Sequence, residues 1–157
     1  MTTKREQILA KVKTILTSTA GINKRIYRNR VEPFAREESP SIVVEFSTDN
    51  PSLRNRDFID WTLSIRVIVI CRHKNPDTKA DATVASLHTK LVEDPTLGGL
   101  AIDVKPLSVD FQTVEADTPA GIYTCNYEID YRSTYNDLST WFINNMITLY
   151  ATFHYNE

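Results

Sequence analysis

Residues 60–72 of this 157-residue chain, DWTLSIRVIVICR, constrain the fold more than any other segment. Every odd position carries an apolar side chain, namely Trp61, Leu63, Ile65, Val67, Val69 and Cys71. A period of two predicts a long β-strand with one face buried in a core. The even positions begin polar and become apolar at Ile68 and Ile70. That change predicts that a helix or another subunit covers part of the second face, which favours assembly over catalysis.

Other segments with the same alternation predict the remaining strands. Residues 41–46 follow Pro40 as a second strand, and a polar loop over 47–55 is expected to join it to 60–72 as an antiparallel hairpin with a mobile tip. Segments 102–104 and 107–114 predict two short strands, because Pro106 between them cannot donate a backbone hydrogen bond. The last predicted strand, 121–132, has an apolar face of Tyr123, Cys125, Tyr127, Ile129 and Tyr131.

Two helices are predicted from apolar residues at helical spacing. Thr3 and Glu6 form a capping-box pattern at the start of the first helix, which Gly21 is expected to end. Its apolar stripe consists of Ile8, Leu9, Val12, Ile15 and Leu16. The second helix has the stripe Val84, Leu87, Leu91 and Val92 and stops at Asp94-Pro95. The order of elements predicts an α+β fold, with an antiparallel β-sheet and two helices packed on one face.

Length and composition indicate one domain, predicted over residues 1–136, followed by a C-terminal apolar arm over 137–157. The arm has a helical stripe of Phe142, Met146, Leu149, Tyr150 and Phe153. It is short and interrupted by polar residues, so no membrane span is expected. We interpret it as packing on its own core or on a neighbouring subunit.

The charge is divided unevenly along the chain. The net charge, counted as basic minus acidic residues, is 16 − 10 = +6 up to Val92 and 2 − 10 = −8 after it. Opposite charges on one small domain suit head-to-tail contact between identical subunits in a closed ring. The alternatives are nucleic-acid binding by the basic part, or two solvated surfaces that cancel within the monomer.

Cysteine usage and the N-terminus bear on the compartment. Cys71 and Cys125 lie on predicted apolar strand faces, which favours buried free thiols and a reducing environment. The basic residues near Met1 are not followed by an apolar segment with a cleavage site, so no signal peptide is predicted. We therefore expect the protein to be made in the cytoplasm.

No pattern in the sequence predicts catalysis, a metal site or a cofactor. There is no phosphate-binding glycine loop, paired-cysteine zinc motif, helical histidine pair or nucleophile elbow. His73, His88 and His154 are isolated from one another in the sequence. Glu128 and Asp130 share one strand face, where they could act in acid–base chemistry, bind a cation, or face water or a partner's basic surface; we favour the last interpretation.

Charged residues in predicted loops are the candidate contacts with other proteins. The long excursion over 22–40 contributes Arg25, Arg28, Arg30 and Arg36, and the hairpin tip contributes Arg54 and Arg56. Tyr27 and Phe34 lie among the first group, as in a nucleic-acid surface, but Glu32, Glu37 and Glu38 would repel phosphate. That mixture favours protein contact. With Glu128 and Asp130, these arginines are the predicted subunit or partner contacts.

Three segments, ESPSIVVEF at 38–46, DWTLSIRVIV at 60–69 and GIYTCNYEIDY at 121–131, occur in an order that resembles the tail terminator (tail completion) proteins of long-tailed bacteriophages, the group that includes the minor tail protein U of phage lambda. The resemblance covers roughly residues 3 to 135 as an order of elements. It implies an α+β subunit that forms a hexameric ring at the head-proximal end of the virion tail, without enzymatic activity. Such a ring stops tube polymerisation at the length set by the tape measure protein, and it is assembled in the host bacterial cytoplasm.

The partners implied by the resemblance are further copies of the chain, the tail tube protein, the head–tail connector and the tape measure protein, while DNA only passes through the ring lumen. The family has no residue-level motif, so the contact residues above rest on charge and predicted loops. The tail after Asn136 departs from the family pattern. The alternatives are a head-completion or neck connector protein of the same virion class, and a small nucleic-acid-binding regulator, which would bind DNA in a salt-sensitive manner.

Overall fold

The computed structural model describes residues 2–30 and 34–140. Within these ranges the chain forms two α-helices and five β-strands. In chain order they are α1 (Lys4–Leu16), β1 (Ile26–Arg28), β2 (Ser41–Leu53), β3 (Phe58–Arg72), α2 (Pro76–Glu93), β4 (Asp103–Val114) and β5 (Ala120–Thr134), with a single 3₁₀ turn at Arg36–Glu38 between β1 and β2. The strands form one sheet in the order β1-β2-β3-β5-β4, which confirms the predicted α+β class.

The sheet is built around the long strand that dominates the sequence. β3 pairs with β5 along its whole length, from Phe58 opposite Thr134 to Arg72 opposite Ala120. β2 and β4 add antiparallel strands on the two sides of this central pair. The short β1 is the exception to the predicted antiparallel sheet, because it runs parallel to β2.

The hydrophobic core lies between the sheet and both helices. The odd positions of β3 from Leu63 to Cys71 are buried, as the alternation predicts. α1 contributes Ile8, Leu9, Val12 and Leu16, and α2 contributes Leu87 and Leu91. Half of the predicted capping box is confirmed, since the Thr3 side chain accepts a hydrogen bond from the backbone N–H of Glu6 at 3.2 Å, while the Glu6 carboxylate binds Arg28. Burial of these aliphatic side chains is the main force that holds the helices to one face.

The predicted loop over 47–55 is wrong, because β2 continues to Leu53 and the turn occupies only residues 54–57. β2 shifts register between Phe46 and Thr48 and then pairs with β3 as far as Leu53 opposite Ile59. The backbone hydrogen bonds that β2 makes with β3 therefore outweigh the low strand propensity of the polar residues over 47–53. Pro51 is tolerated because β1 pairs only up to Val44, which leaves this part of β2 at the sheet edge.

Two other predicted boundaries differ from the structure. Pro106 does not divide β4, since a register shift between Pro106 and Ser108 absorbs it as a bulge and pairing with β5 continues on both sides. α1 ends at Leu16 rather than at Gly21, which adopts a positive φ of 85° in the following loop. Local steric rules pointed to Gly21 and Pro106, while strand pairing and packing decided where each helix and strand ended.

The second face of the sheet carries the even positions of β3 and β5, and we call it the open face. No helix in the described ranges covers it, and Ile68 and Ile70 remain half-buried there. The predicted boundary between residues 136 and 137 stays a prediction. Leu138 lies against α1, where its carbonyl accepts a hydrogen bond from the Lys4 backbone N–H at 2.8 Å. The remainder of the predicted arm, 141–157, and Val31 to Pro33 lie outside the described residues.

Candidate interaction surfaces

Arg25, the first predicted contact residue, is engaged by backbone carbonyl groups of its own chain. Its guanidinium donates hydrogen bonds to the carbonyl oxygens of Pro40, Ser39 and Gly21 at 3.1, 3.1 and 3.2 Å. These bonds join the loop after α1 to the segment that enters β2. In the monomer, Arg25 therefore positions the excursion over 22–40.

Arg28 and Arg30 form bidentate ion pairs within the chain. Arg28 binds the carboxylate of Glu6 at 2.6 and 3.2 Å, and Arg30 binds that of Glu38 at 3.0 and 3.1 Å. The hydrogen bond from each arginine lowers the pKa of its carboxyl partner. Two positive charges of the excursion are thereby balanced locally, which weakens the nucleic-acid hypothesis.

Aromatic rings surround the guanidinium of Arg30 as well. It lies 4.5 Å from the centroid of Tyr27 and 4.2 Å from that of Phe34, and the two rings are 5.5 Å apart. Phe34 is buried. The aromatic residues that resembled a base-stacking surface in sequence therefore pack on an arginine of the same chain. The backbone of Arg36 lies in the nearby 3₁₀ turn.

The hairpin tip places Arg54 and Arg56 at one end of the long strands. Arg54 is 59% exposed, and its Nη1 lies 3.5 Å from Oδ2 of Asp60. Asp60 also accepts a 2.6 Å hydrogen bond from Nε of Arg132, and this bond lowers its pKa. Arg56 lines a shallow pocket of about 520 Å³ with Phe58 and residues at the end of β5. The structure therefore brings both tip arginines to the end of β5.

Sequence reasoning missed Arg132, because the prediction relied on charges in loops and Arg132 lies in a strand. The available signal was its even position in the alternation of 121–132, which puts it on the same face as Asp130. In the structure it stands opposite Asp60, so the pair ties β5 to β3 across the open face. This cross-strand ion pair helps to hold the base of the hairpin tip.

Glu128 and Asp130 lie on the open face of β5, as predicted. Asp130 accepts hydrogen bonds from Nζ of Lys105 at 2.6 Å and from the hydroxyl of Thr62 at 3.2 Å. The bond to Asp130 raises the pKa of Lys105. Glu128 is half-buried and stands opposite Lys105 in the β4 register. These residues form a polar band across β3, β5 and β4, well away from the arginines near β1.

The ends of the sheet differ in charge. Arg54 and Arg56 lie in the turn between β2 and β3, whereas the exposed residues Glu115 and Asp117 lie in the turn between β4 and β5. Because β3 and β5 pair along their full lengths, these two turns lie at opposite ends of the long strands. The two turns therefore carry opposite net charge, +1 over residues 54–57 and −2 over residues 115–119.

The two histidines of the described residues each contact one neighbouring group of the chain. His73 accepts a hydrogen bond from the Asn75 backbone N–H at 3.0 Å, and the ring of His88 lies 2.8 Å from the hydroxyl of Tyr127. Within residues 2–30 and 34–140, no three His, Cys, Asp or Glu side chains are grouped to hold a metal ion. No helix in that part of the chain is long and apolar enough to cross a membrane. His154 lies outside it.

No protein-family model matches the sequence, and no curated protein matches it either. The fold is similar to that of a chain in the solved structure of the virion of a native gene transfer agent (GTA) particle. The two chains superpose with a TM-score of 0.57 at 14% sequence identity. The match covers 80% of this chain and 94% of that chain. At this identity the similarity is one of fold.

Proposed function

We propose that this chain is a structural protein of a phage-type virion, and specifically a tail terminator. Further copies would form a hexameric ring on the head-proximal end of the tail tube, stop its growth and present a surface to the head connector. The observation that carries the proposal is the shared fold with a GTA virion chain, because the match extends over 94% of that chain. The order of the three sequence segments supports the same class of protein. The proposal includes no catalytic step and no cofactor.

The charge difference between the sheet ends supports a capping role. A cap must bind the last tube ring with one surface and must not offer a copy of that binding surface on its other side. The turn that contains Arg54 and Arg56 differs in charge from the turn that contains Glu115 and Asp117, so the two ends cannot recognise the same partner equally.

We assign partner contact to Arg54, Arg56 and the polar band with Glu128 and Asp130. Both tip arginines are exposed, and Arg56 also lines the shallow pocket at the end of β5, where a neighbouring protein can reach it. Arg25, Arg28 and Arg30 already bind groups of their own chain. In the proposed ring, these three would shape the excursion, and Arg36 would contribute the contact predicted for it.

The test measures the mass of the full-length protein by light scattering, alone and with tail tube protein, and images the mixture by electron microscopy. Rings at one end of tubes, with tube growth halted, are the expected result. Binding to the head connector without tube binding would favour the neck protein. A monomer that ignores both and binds double-stranded DNA in a salt-dependent manner would overturn the proposal in favour of the regulator.

A charge-reversal pair sharpens that test. Arg54→Glu with Arg56→Glu should weaken binding to the partner that meets the tip by roughly tenfold or more. The variant loses the attraction between the arginines and acidic groups of the partner, and its glutamates repel those groups. Lys24→Glu is a single-site control, since Lys24 is also exposed and basic but lies far along the chain from the tip, beside β1. Equal binding by both variants would remove the tip from the interface.

A further inference from the structure

β4 forms an edge of the sheet, with β5 on one side of it. No strand of the described part of the chain pairs with the other side. Four of the nine exposed large hydrophobic side chains in this part lie on β4, namely Leu107, Val109, Phe111 and Val114. Val109 is 56% exposed and Phe111 is 43% exposed. An edge with free backbone groups and apolar side chains is suited to pairing with a further strand.

The position of α2 explains why this edge is uncovered. α2 lies over β5, because the hydroxyl of Tyr123 donates to the carbonyl of Asp77 at 3.1 Å and His88 contacts Tyr127 at 2.8 Å. Val109 and Phe111 stand opposite Cys125 and Tyr123, so they point to the same side of the sheet as α2. The result is an apolar ledge beside the helix, formed by Val109 and Phe111.

Features that usually prevent an edge strand from pairing with another chain occur only at the beginning of β4. Lys105, Pro106 and the register shift before Ser108 discourage pairing there. The following seven residues, 108–114 with sequence SVDFQTV, contain no lysine, arginine or proline. Residues 108–114, which include Val109 and Phe111 of the ledge, therefore remain able to pair with a further strand.

The chain leaves its described part beside the end of β5 and the start of α1, at the opposite end of β5 from the residues that pair with 108–114. The backbone N–H of Thr134 donates to the carbonyl of Thr140 at 3.2 Å, and the carbonyl of Leu138 accepts from Lys4 at the start of α1. α1 contacts β1 and β2, which are at the sheet edge opposite β4. The exit of the chain and the β4 edge would face one another between successive copies in a head-to-tail arrangement.

The 17 residues beyond Thr140 match the β4 edge in chemistry and length. Their sequence, WFINNMITLYATFHYNE, contains no lysine or arginine, and its one acidic residue is Glu157. Fully extended, they could span roughly 56 Å at 3.3 Å per residue. That reach is sufficient to lie along the ledge and the edge of an adjacent copy.

We propose that the β4 edge, from Ser108 to Val114, accepts residues 141–157 of a second copy of this chain. The apolar side chains of that segment would cover Val109 and Phe111, and its backbone would pair with β4 as a strand, in place of the helix that its apolar spacing predicts. The inference deepens the proposed ring and rests on it for the head-to-tail order of subunits. Each subunit of the ring would then bind the next through residues 141–157 of one copy and β4 of the other.

Two full-length variants test the proposal, each lacking one half of the contact. The acceptor-deficient variant carries Val109→Lys and Phe111→Lys. The donor-deficient variant replaces four apolar side chains with serine: Phe142→Ser, Met146→Ser, Leu149→Ser and Phe153→Ser. Gln112→Lys is the control, because it adds a lysine to β4 on the open face and leaves Val109 and Phe111 unchanged. Circular dichroism and thermal melting confirm that each variant is folded.

Light scattering over a concentration series gives the result. We expect the native chain and Gln112→Lys to associate, and each deficient variant to need at least roughly tenfold higher concentration. Mixing the two deficient variants should produce a one-to-one dimer, since the intact segment of one meets the intact edge of the other. Association of the acceptor-deficient variant like the native chain, a persistently monomeric native chain, or no dimer in the mixture would each overturn the inference.

The outcomes separate this inference from the proposed function. Rings that cap tubes equally well with Val109→Lys and Phe111→Lys would leave the terminator role standing and remove β4 from the contact. A mixed dimer without any binding to tube protein would keep the β4 contact and remove the terminator role. Binding of the segment to the β4 edge of its own chain would leave the mixture monomeric.

Discussion

Tyr131 donates a hydrogen bond of 2.5 Å from its hydroxyl to Oδ2 of Asp49, and this bond joins β5 to the outer half of β2 across β3. The Asp49 side chain is 5% exposed and also lies 3.4 Å from Nη1 of Arg5 in α1. Burial raises the pKa of Tyr131, and the bond to Asp49 raises it further. Trp61 stacks on Tyr131 with ring centroids 6.1 Å apart. The hairpin is thereby fixed to both α1 and β5.

Tyr131→Phe is expected to lower the free energy of unfolding by about 1–3 kcal/mol, because it removes a donor from a buried carboxylate. Urea unfolding followed by tryptophan fluorescence measures the change. Tyr135→Phe is the control, since Tyr135 is 53% exposed and its loss should cost no more than about 0.5 kcal/mol. Equal effects of the two variants would contradict the importance of the Tyr131–Asp49 bond.

Arg30→Lys should destabilise the excursion over 22–40 even though it keeps the charge. Lysine cannot make the two-pronged bond to Glu38, and it cannot stack flat against Tyr27 and Phe34. We expect a loss of about 1–2 kcal/mol in the free energy of unfolding. Arg56→Lys at the exposed hairpin tip is the matched control and should be close to neutral. Faster proteolysis of residues 22–40 in Arg30→Lys would locate the effect.

Acid should destabilise the protein through its paired carboxylates. Arg132 holds the pKa of Asp60 below its ordinary value of 3.8, and Arg28 holds that of Glu6 below 4.5. A carboxyl whose folded pKa is lowered stabilises the fold above its unfolded pKa and loses that contribution as pH falls through the folded value. The free energy of unfolding should therefore fall as pH decreases below about 4.5.

Asp60→Asn isolates one of these carboxyls. The asparagine cannot titrate, so the slope of unfolding free energy against pH should be shallower than in the native protein below about pH 4, where Asp60 of the native protein takes up a proton on unfolding. Asp117→Asn, at the exposed turn between β4 and β5, serves as the control and should keep the native slope. A native slope in Asp60→Asn would show that its pairing with Arg132 does not persist in solution.

Cys71 and Cys125 are free and buried, as the sequence predicts. Cys71 lies opposite Gly121 and Cys125 lies opposite Val67, so the offset along the strands prevents a disulfide between them. Burial raises the pKa of Cys125 to about 11. Both thiols should react with Ellman's reagent roughly 100-fold more slowly in the folded protein than in urea, because reaction requires opening.

Asp117→Cys supplies the control for that measurement. Asp117 is exposed in the turn between β4 and β5, outside the contact proposed for residues 141–157, so a thiol there should react at about the rate of an unfolded chain. The folded protein would then show one fast and two slow thiols. Rapid reaction of all three thiols, or a disulfide found by mass spectrometry without reductant, would contradict the packing of β3 against β5.

Alternation and helical spacing determined much of this protein without further information. They identified both helices, the buried face of β3 and the alternating face of β5, because each depends on the side-chain period of a single segment. Steric rules marked Gly21 and Pro106 as unusual backbone positions, but the element boundaries predicted from them were wrong, since α1 ends at Leu16 and β4 continues across Pro106. The charges of Arg54, Glu128 and Asp130 were visible as candidate contacts.

Only the tertiary structure decided what depends on residues distant in sequence. Strand pairing carried β2 to Leu53 and β4 across Pro106, since a neighbouring ladder can outweigh local propensity. The fold also turned Arg28 and Arg30 towards acids of their own chain and left β4 at an edge. The ion-pair partner of a side chain and the position of a strand in the sheet depend on how separate segments pack together. The periodicity of a single segment therefore cannot predict them.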